Sequence, residues 1–208
     1  MFLSLTCVVI ISYLIGSIPS GFILSKILFG KDPRNTGSGN IGATNITRIG
    51  GAFAGLIVLI FDVAKGYIPV YFTLKYNIHY QAPLFAGLSA LLGHIFPIYL
   101  KFKGGKGVAT SIGIFSALIP SALLIDGIIF LIVFFIWRYV SLASIISAIS
   151  LPGIIKFLMM FNFYQFNDNI IYFATTVAMI IIYTHRANIE RLIKKQEQKF
   201  GNKDKIIK

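Results

Sequence analysis

VATSIGIFSALIPSALLIDGIIFLIVFFIW, residues 108–137, runs for 30 residues with one charged side chain, Asp126. As a single helix it would extend about 45 Å at 1.5 Å per residue, against a bilayer core of roughly 30 Å. Pro120-Ser121 interrupts it near the middle, so two short helices joined there fit as well as one very long one. The charges outside the stretch choose between the two. If it crosses twice, the chain has seven spans. With the N-terminus outside, the cytoplasmic face then receives Lys31, Arg34, Arg48, Lys101, Lys103, Lys106, Arg138 and the eight Lys and Arg of the tail, and the outer face Lys75 alone. If it crosses once, Arg138 and the tail fall outside, against the excess of Lys and Arg that cytoplasmic loops carry. The expected fold is all-α: a polytopic membrane helix bundle of seven transmembrane helices with its polar motif loops on the cytoplasmic side. It forms one domain over residues 1–208, with a basic C-terminal tail from about residue 185.

Composition agrees with a membrane protein. The chain has 208 residues, 56% hydrophobic and 12% charged, with a mean hydropathy of +0.81, too apolar for the surface of a soluble domain of this length. The net charge of +12 does not point to nucleic acid, because the basic residues lie between and after apolar runs and not on one face of a domain. Topology and anionic ligands account for them better. Cys7 is the one cysteine, which excludes an intramolecular disulfide and a cysteine metal site and leaves a small buried hydrophobe. Residues 1–18 are apolar, but no Lys or Arg precedes Lys26 and the run outlasts the h-region of a signal peptide, so an uncleaved first span is expected.

The first span, residues 2–29, contains Pro19-Ser20-Gly21, which should kink it where neighbouring protein satisfies the freed carbonyls. The second, 51–74, holds Asp62 and Lys65 on one helical face at i and i+3. Both would be costly against lipid, so they should face the bundle interior as a pair. A helix-locking ion pair suits them better than a substrate site, because they fall about three turns in from the preceding loop. The third span, 84–100, ends in Gly93-His94-Ile95-Phe96-Pro97, where a lone histidine reads as a packing residue ahead of a catalytic one. After 108–137 come a span over 140–160, an aromatic, Asn-rich connection over 161–169 and a last span over 170–184.

Three polar clusters sit at the ends of apolar segments. Gly37-Ser38-Gly39-Asn40-Ile41-Gly42-Ala43-Thr44-Asn45, followed by Arg48, combines three glycines with the short donors Ser38, Asn40, Thr44 and Asn45, a composition suited to holding an oxyanion. Lys101-Phe102-Lys103-Gly104-Gly105-Lys106-Gly107 repeats that chemistry with three lysines, and His185-Arg186-Ala187-Asn188-Ile189-Glu190-Arg191-Leu192 is the third cluster. Cations and backbone donors abound while carboxylates are few, which suits phosphate beside an acyl carbonyl and does not suit metal-assisted hydrolysis. No metal site is expected. The second cluster lacks the G-x-x-x-x-G-K-[ST] spacing and the βαβ setting of a P-loop.

The same three stretches, with Gly16-Ser17-Ile18-Pro19, Gly93-His94-Ile95-Phe96-Pro97 and Arg138-Tyr139-Val140-Ser141-Leu142-Ala143-Ser144, closely resemble the bacterial acyl-phosphate-dependent glycerol-3-phosphate acyltransferases. The resemblance covers nearly the whole chain. It implies an integral enzyme of the bacterial cell membrane, which the charge count places with its N-terminus outside and C-terminus cytoplasmic, that transfers a fatty acyl group from acyl phosphate to the sn-1 hydroxyl of glycerol 3-phosphate. The products would be lysophosphatidic acid and phosphate, in the first acylation of phospholipid synthesis. It also implies Ser38, Arg48, His185 and Asn188 as catalytic residues and Gly104, Gly105, Lys106 and Gly107 as glycerol 3-phosphate binders, with Glu190 structural. Gly39, Asn40, Thr44, Asn45 and Lys103 complete the expected substrate-binding set. The expected partners are the two substrates, the lipid bilayer and an enzyme that makes acyl phosphate, with no cofactor and no nucleic acid. Lys31-Asp32-Pro33-Arg34-Asn35-Thr36 departs from the family, which often has an aliphatic residue in place of Pro33 and a basic one in place of Asn35.

An acyl phosphate is already activated, so attack by a hydroxyl needs positioning, charge stabilisation and one weak base. His185 is the motif side chain suited to that role, and a substrate phosphate oxygen is the alternative. Direct transfer is preferred over a Ser38 acyl intermediate. Two other functions compete. A transporter or flippase for phosphorylated solutes or lipids should concentrate its charges near the midplane, where only Asp62 and Lys65 lie. An acyltransferase using a thioester donor should show an H-x-x-x-x-D arrangement, which the contexts of His79 and His94 lack.

Overall fold

The computed structural model describes residues 2–161 and 168–201, with the side chains of residues 2–4 left aside, and all regular structure among them is helical. Most of the expected 161–169 connection, and the tail beyond Gly201, lie outside the described residues. The chain divides into two compact units, Met1–Leu118 and Ile119–Lys208. The first contains α1 (Phe2–Gly16), α2 (Ser20–Phe29), α3 (Ala43–Lys75), α4 (Ala82–Ile95) and α5 (Val108–Leu118); the second contains α6 (Pro120–Trp137), α7 (Val140–Met160), α8 (Asn169–Thr184) and α9 (Arg186–Ile193).

The 108–137 stretch is two helices, as its proline suggested: Ile119, at φ −145° and ψ 76°, leaves helical geometry just before Pro120 opens α6. Among the described residues five segments are long and apolar enough to cross a bilayer, namely Leu5–Phe29, α3, Ala82–Leu100, α6 and α7, and α8 with α9, bent by 59°, makes a sixth at most. All seven expected segments are helical, yet α5 has 11 residues, about 16 Å at 1.5 Å per residue, half of the core thickness. The described helices thus cross a bilayer several times, five or six by length and apolarity.

In the first unit, helices approach closely through small residues, the usual device where lipid supplies no hydrophobic drive for association. A methyl group added at Gly16 or Gly93 would overlap the backbone of Ala90 or of Tyr13, on the α1–α4 contact, and one at Gly66 or Gly113 would overlap that of Thr110 or Val63, on the α3–α5 contact. The break at Pro19 falls between α1 and α2, and Lys65 Nζ donates to the exposed main-chain acceptor there, Ile18 O, at 3.0 Å. Lys65 also pairs with Asp62 at 2.8 Å, both buried, so the pair locks α3 onto the break as expected.

α3 is not one rod. Gly51 has φ 86° and ψ 175°, a conformation that glycine alone adopts readily. Thr47 Oγ1 lies against Gly55, with Ala43 O 3.1 Å from the position a Gly55 Cβ would take, whereas eight and twelve residues along a straight helix are about 12 and 18 Å. Residues 43–50 therefore fold back along the start of the longer segment, burying Ile46, Ala54 and Val58 beside Leu24 and Phe29. The reversal carries the loop before α3 down beside the membrane helices. In the second unit α7 packs against α6 and α8, and Asp126, buried in α6, accepts hydrogen bonds from Ser147 and, at 2.8 Å, from Ser150 of α7.

Candidate functional site

The first loop is organised by Asn45. Its side chain, 1% exposed, donates through Nδ2 to the carbonyls of Pro33 (2.9 Å), Thr36 (2.9 Å) and Asn40 (2.7 Å), and its Oδ1 accepts from Ser38 N at 2.8 Å. Gly39 N donates to Thr36 O, and Gly42 N to Asn40 Oδ1 at 2.8 Å. Asn45 and the Oδ1 of Asn40 serve the loop's own backbone, because a short amide is the group that can satisfy several main-chain atoms at a tight turn. The loop so braced leaves Gly37, Ser38 and Gly39 exposed, and Arg48 is exposed in the second turn of α3, with Thr44 half-buried in its first. The first N–H groups of α3 have no intrahelical acceptor, which makes that end an anion-favouring one. Arg34 is committed elsewhere: it grips Asp32 through Nε and Nη2 at 3.0 and 2.7 Å and lies over the Phe22 ring. That hydrogen bond holds the Asp32 carboxyl well below its ordinary range, at about 2.

The second loop closes on the end of α4. Gly104 N donates to Ile95 O and Gly105 N to His94 O, both at 3.0 Å. A methyl at Gly104 would overlap His94 O, and one at Gly105 would overlap the His94 ring. The two glycines thus permit close backbone packing, and their N–H groups are spent on main-chain carbonyls instead of pointing at a ligand. Lys101 and Phe102 take positive φ, 52° and 62°, which turns the chain back so that Lys103 is exposed and Lys106 half-buried on either side of the glycine pair. Gly107, at φ 91°, leads into α5. Cationic side chains, more than a backbone cradle, are what this loop presents.

The two loops share a floor within the first unit. Ile41 O of the first lies against Gly21, the neighbouring Ser20 donates its hydroxyl to Asp62 Oδ1 at 2.6 Å, and Asp62 Oδ1 is 3.7 Å from Nδ1 of His94, whose ring seats Gly105. The expected separation of Asp62 from the first loop does not survive the fold-back of α3.

The third cluster lies in the second unit, where α8 and α9 meet. His185, 3% exposed, sets its Nδ1 2.8 Å from Ile181 O. A carbonyl only accepts, so Nδ1 carries the hydrogen and the neutral ring keeps its basic lone pair on Nε2. Asn188, 5% exposed, sits in the first turn of α9, its N–H on His185 O at 2.8 Å.

Sequence reasoning overlooked Glu197. After α9, Lys195, at φ 56°, reverses the chain, and Gln196 N and Glu197 N both donate to Arg191 O. Glu197 then accepts from Ser141 Oγ and Asn188 Nδ2 through Oε1 and from Arg191 Nε through Oε2, each at 2.7 Å. Phe200 N adds a bond to Arg138 O. Glu190, expected to be the structural carboxylate, is exposed and paired only with Lys194 in the described bonds. Burial alone would raise the Glu197 carboxyl, but the bonds from Ser141, Asn188 and Arg191 outweigh it and hold the group below its usual range. A signal was present in the sequence: Glu197 is the one acid in a run of Lys and Gln.

Residues 6–195 match the family described as glycerol-3-phosphate acyltransferase. A glycerol-3-phosphate acyltransferase of Fusobacterium nucleatum is 44% identical over 195 residues, covering 93% of this chain and 97% of its own. One from Staphylococcus haemolyticus is 45% identical over 198 residues, covering 91% and 95%. Among solved structures, the glycerol 3-phosphate form of PlsY (YgiH), an integral membrane glycerol 3-phosphate acyltransferase, is similar with a TM-score of 0.87 at 42% identity, over 95% of this chain and 96% of that one. Its lysophosphatidic acid form gives 0.84 at 40% over the same shares.

Proposed function

Since this chain belongs to the glycerol-3-phosphate acyltransferase family and is a multi-pass membrane acyltransferase, we propose that it acylates the sn-1 hydroxyl of glycerol 3-phosphate, with a fatty acyl phosphate as donor. The substrate hydroxyl attacks the acyl carbonyl carbon; an ester C–O bond forms, the bond from carbonyl carbon to phosphate oxygen breaks, and inorganic phosphate leaves with its electron pair. The hydroxyl proton goes to Nε2 of His185 or to a phosphate oxygen. The resemblance supports Ser38 and Arg48 as acting near the reacting groups, Lys103 and the 104–107 loop with Lys106 as holding the glycerol 3-phosphate, and Asn188 as acting with His185 in catalysis. The phosphate released and the phosphate bound are both anions, and the site's exposed groups are cations and small donors.

The observation that carries this reading is the pair of close-packed loops, which present Ser38, Arg48, Lys103 and Lys106 while committing their own amides to the fold. The seven-span path, with motif loops and tail cytoplasmic in a bacterial inner membrane, belongs to the same proposal and rests on charge distribution. Purified enzyme offered acyl phosphate, acyl coenzyme A and acyl-carrier protein in parallel should use the first, with the ester at the primary hydroxyl carbon distal to the phosphate. Turnover with either thioester alone would overturn the choice of donor.

A further inference from the structure

Gly105 does not occupy a left-handed conformation; the glycines that do are Gly30, Gly37, Gly39, Gly51, Gly107 and Gly201. Backbone geometry therefore permits alanine at 105. What forbids it is one side chain: the three atoms that a Gly105 methyl would meet first are Nε2, Cε1 and Cδ2 of His94, with Cε1 at 2.7 Å and Cδ2 at 3.0 Å. Gly104 differs. Its methyl would meet the carbonyl oxygens of His94 and Ile95 and the Pro97 ring, which no truncation at residue 94 removes.

His94 is itself held in place. It is 3% exposed, its carbonyl receives the Gly105 N–H, and Nδ1 faces Asp62 Oδ1 at 3.7 Å without a hydrogen bond. Asp62 is fixed by Ser20 and by Lys65, and Lys65 by the Ile18 carbonyl at the α1–α2 break.

We propose that His94 is a positioning residue for the basic glycine loop: its imidazole is the seat against which Gly105 closes, with Asp62, Lys65 and Ser20 as the support beneath. A helix-end histidine that only filled space would leave the setting of Lys106 to the loop. Here the ring sets how deep the loop lies, and so where Lys103 and Lys106 stand. This rests on the reading that the loop binds glycerol 3-phosphate.

The test is size complementation. Gly105→Ala should raise KM for glycerol 3-phosphate about tenfold or more, with kcat and KM for the acyl donor changed far less, since what is lost is binding common to ground and transition states. In His94→Ala/Gly105→Ala, or in His94→Asn/Gly105→Ala where the smaller polar side chain preserves folding, KM should return to within about threefold of the parent. Gly104→Ala should show no such rescue. If Gly105→Ala does not fold, recovery of folded, melting protein in the double variants reads the same complementation. An unchanged KM in Gly105→Ala, or equal defects in single and double variants, overturns the proposal. Lys106→Ala separates the two levels: an unmoved KM there defeats the binding reading of the loop, whereas a raised KM there with failed rescue defeats the role of His94 alone.

Discussion

Replacing Asn45 by alanine tests whether the first loop is held by that one amide. The change removes the group that accepts from Ser38 N and donates to three carbonyls. Nδ2 has two hydrogens, so about three full hydrogen bonds are lost, each worth about 1 kcal/mol net. The local cost is about 3 kcal/mol, or roughly a hundredfold in the population of the ordered loop at 1.4 kcal/mol per decade. Because the loop lies at the edge of its unit, the loss should appear in kcat/KM and in hydrogen exchange over residues 33–45, with little change in melting temperature. Asn45→Asp should be worse than alanine, since a carboxylate facing three carbonyl oxygens repels where the amide donated. The readout is kcat/KM for both substrates beside site-resolved exchange. Activity within threefold of the parent, or an aspartate variant better than the alanine one, would refute the assignment of Asn45 as the loop's organiser.

Lys106→Ala should raise KM for glycerol 3-phosphate with kcat largely kept; an unchanged KM with a collapsed kcat would contradict it. Single cysteines at Lys103 and Lys199 in a Cys7→Ser background should both resist an impermeant thiol reagent in intact cells, and labelling of only one breaks the seven-span path. Enzyme given radiolabelled acyl phosphate without glycerol 3-phosphate should carry no label after denaturation, and stoichiometric label lost in Ser38→Ala would sink direct transfer. Glu197 has a depressed folded-state pKa, so the stability it contributes is present above its unfolded value of 4.5 and lost as pH falls below it. The acid-unfolding curve of Glu197→Gln should therefore converge with that of the parent at low pH, and parallel curves would refute the linkage.

The helices were legible because lipid imposes a simple code. Runs such as Val140–Met160 must satisfy their own backbone, so apolar length alone reports a helix. The kink at Pro19, the buried Asp62–Lys65 pair and the division at Pro120 followed from local chemistry: a missing N–H, an ion too costly for hydrocarbon, a ring that cannot continue a helix. The fold-back at Gly51 was not legible. Gly50-Gly51 followed by Ala and Phe is compatible with a straight helix start, and only the contact of Thr47 with Gly55 shows the reversal. That turn is what brings the first loop to the same floor as the second. Glu197 escaped for a related reason: its three partners lie 6, 9 and 56 residues away, and no helical or strand period links them.

Glycine-rich, polar loops suggested cradles of backbone N–H groups, and in the structure many of those amides serve the fold. The N–H groups of Ser38, Gly39 and Gly42 are consumed within the first loop and its Asn45 brace, and those of Gly104 and Gly105 on the α4 carbonyls of Ile95 and His94. An unpaired amide beside the membrane helices costs more than a paired one gains, so a loop packed onto helix ends spends its donors on holding its shape. Under the proposed function, stabilising anionic charge falls to the side chains of Arg48, Lys103 and Lys106, whose charges keep their strength at distances where neutral amides do not. The glycines are required for close approach, and that is why the test of Gly105 is made by changing its neighbour.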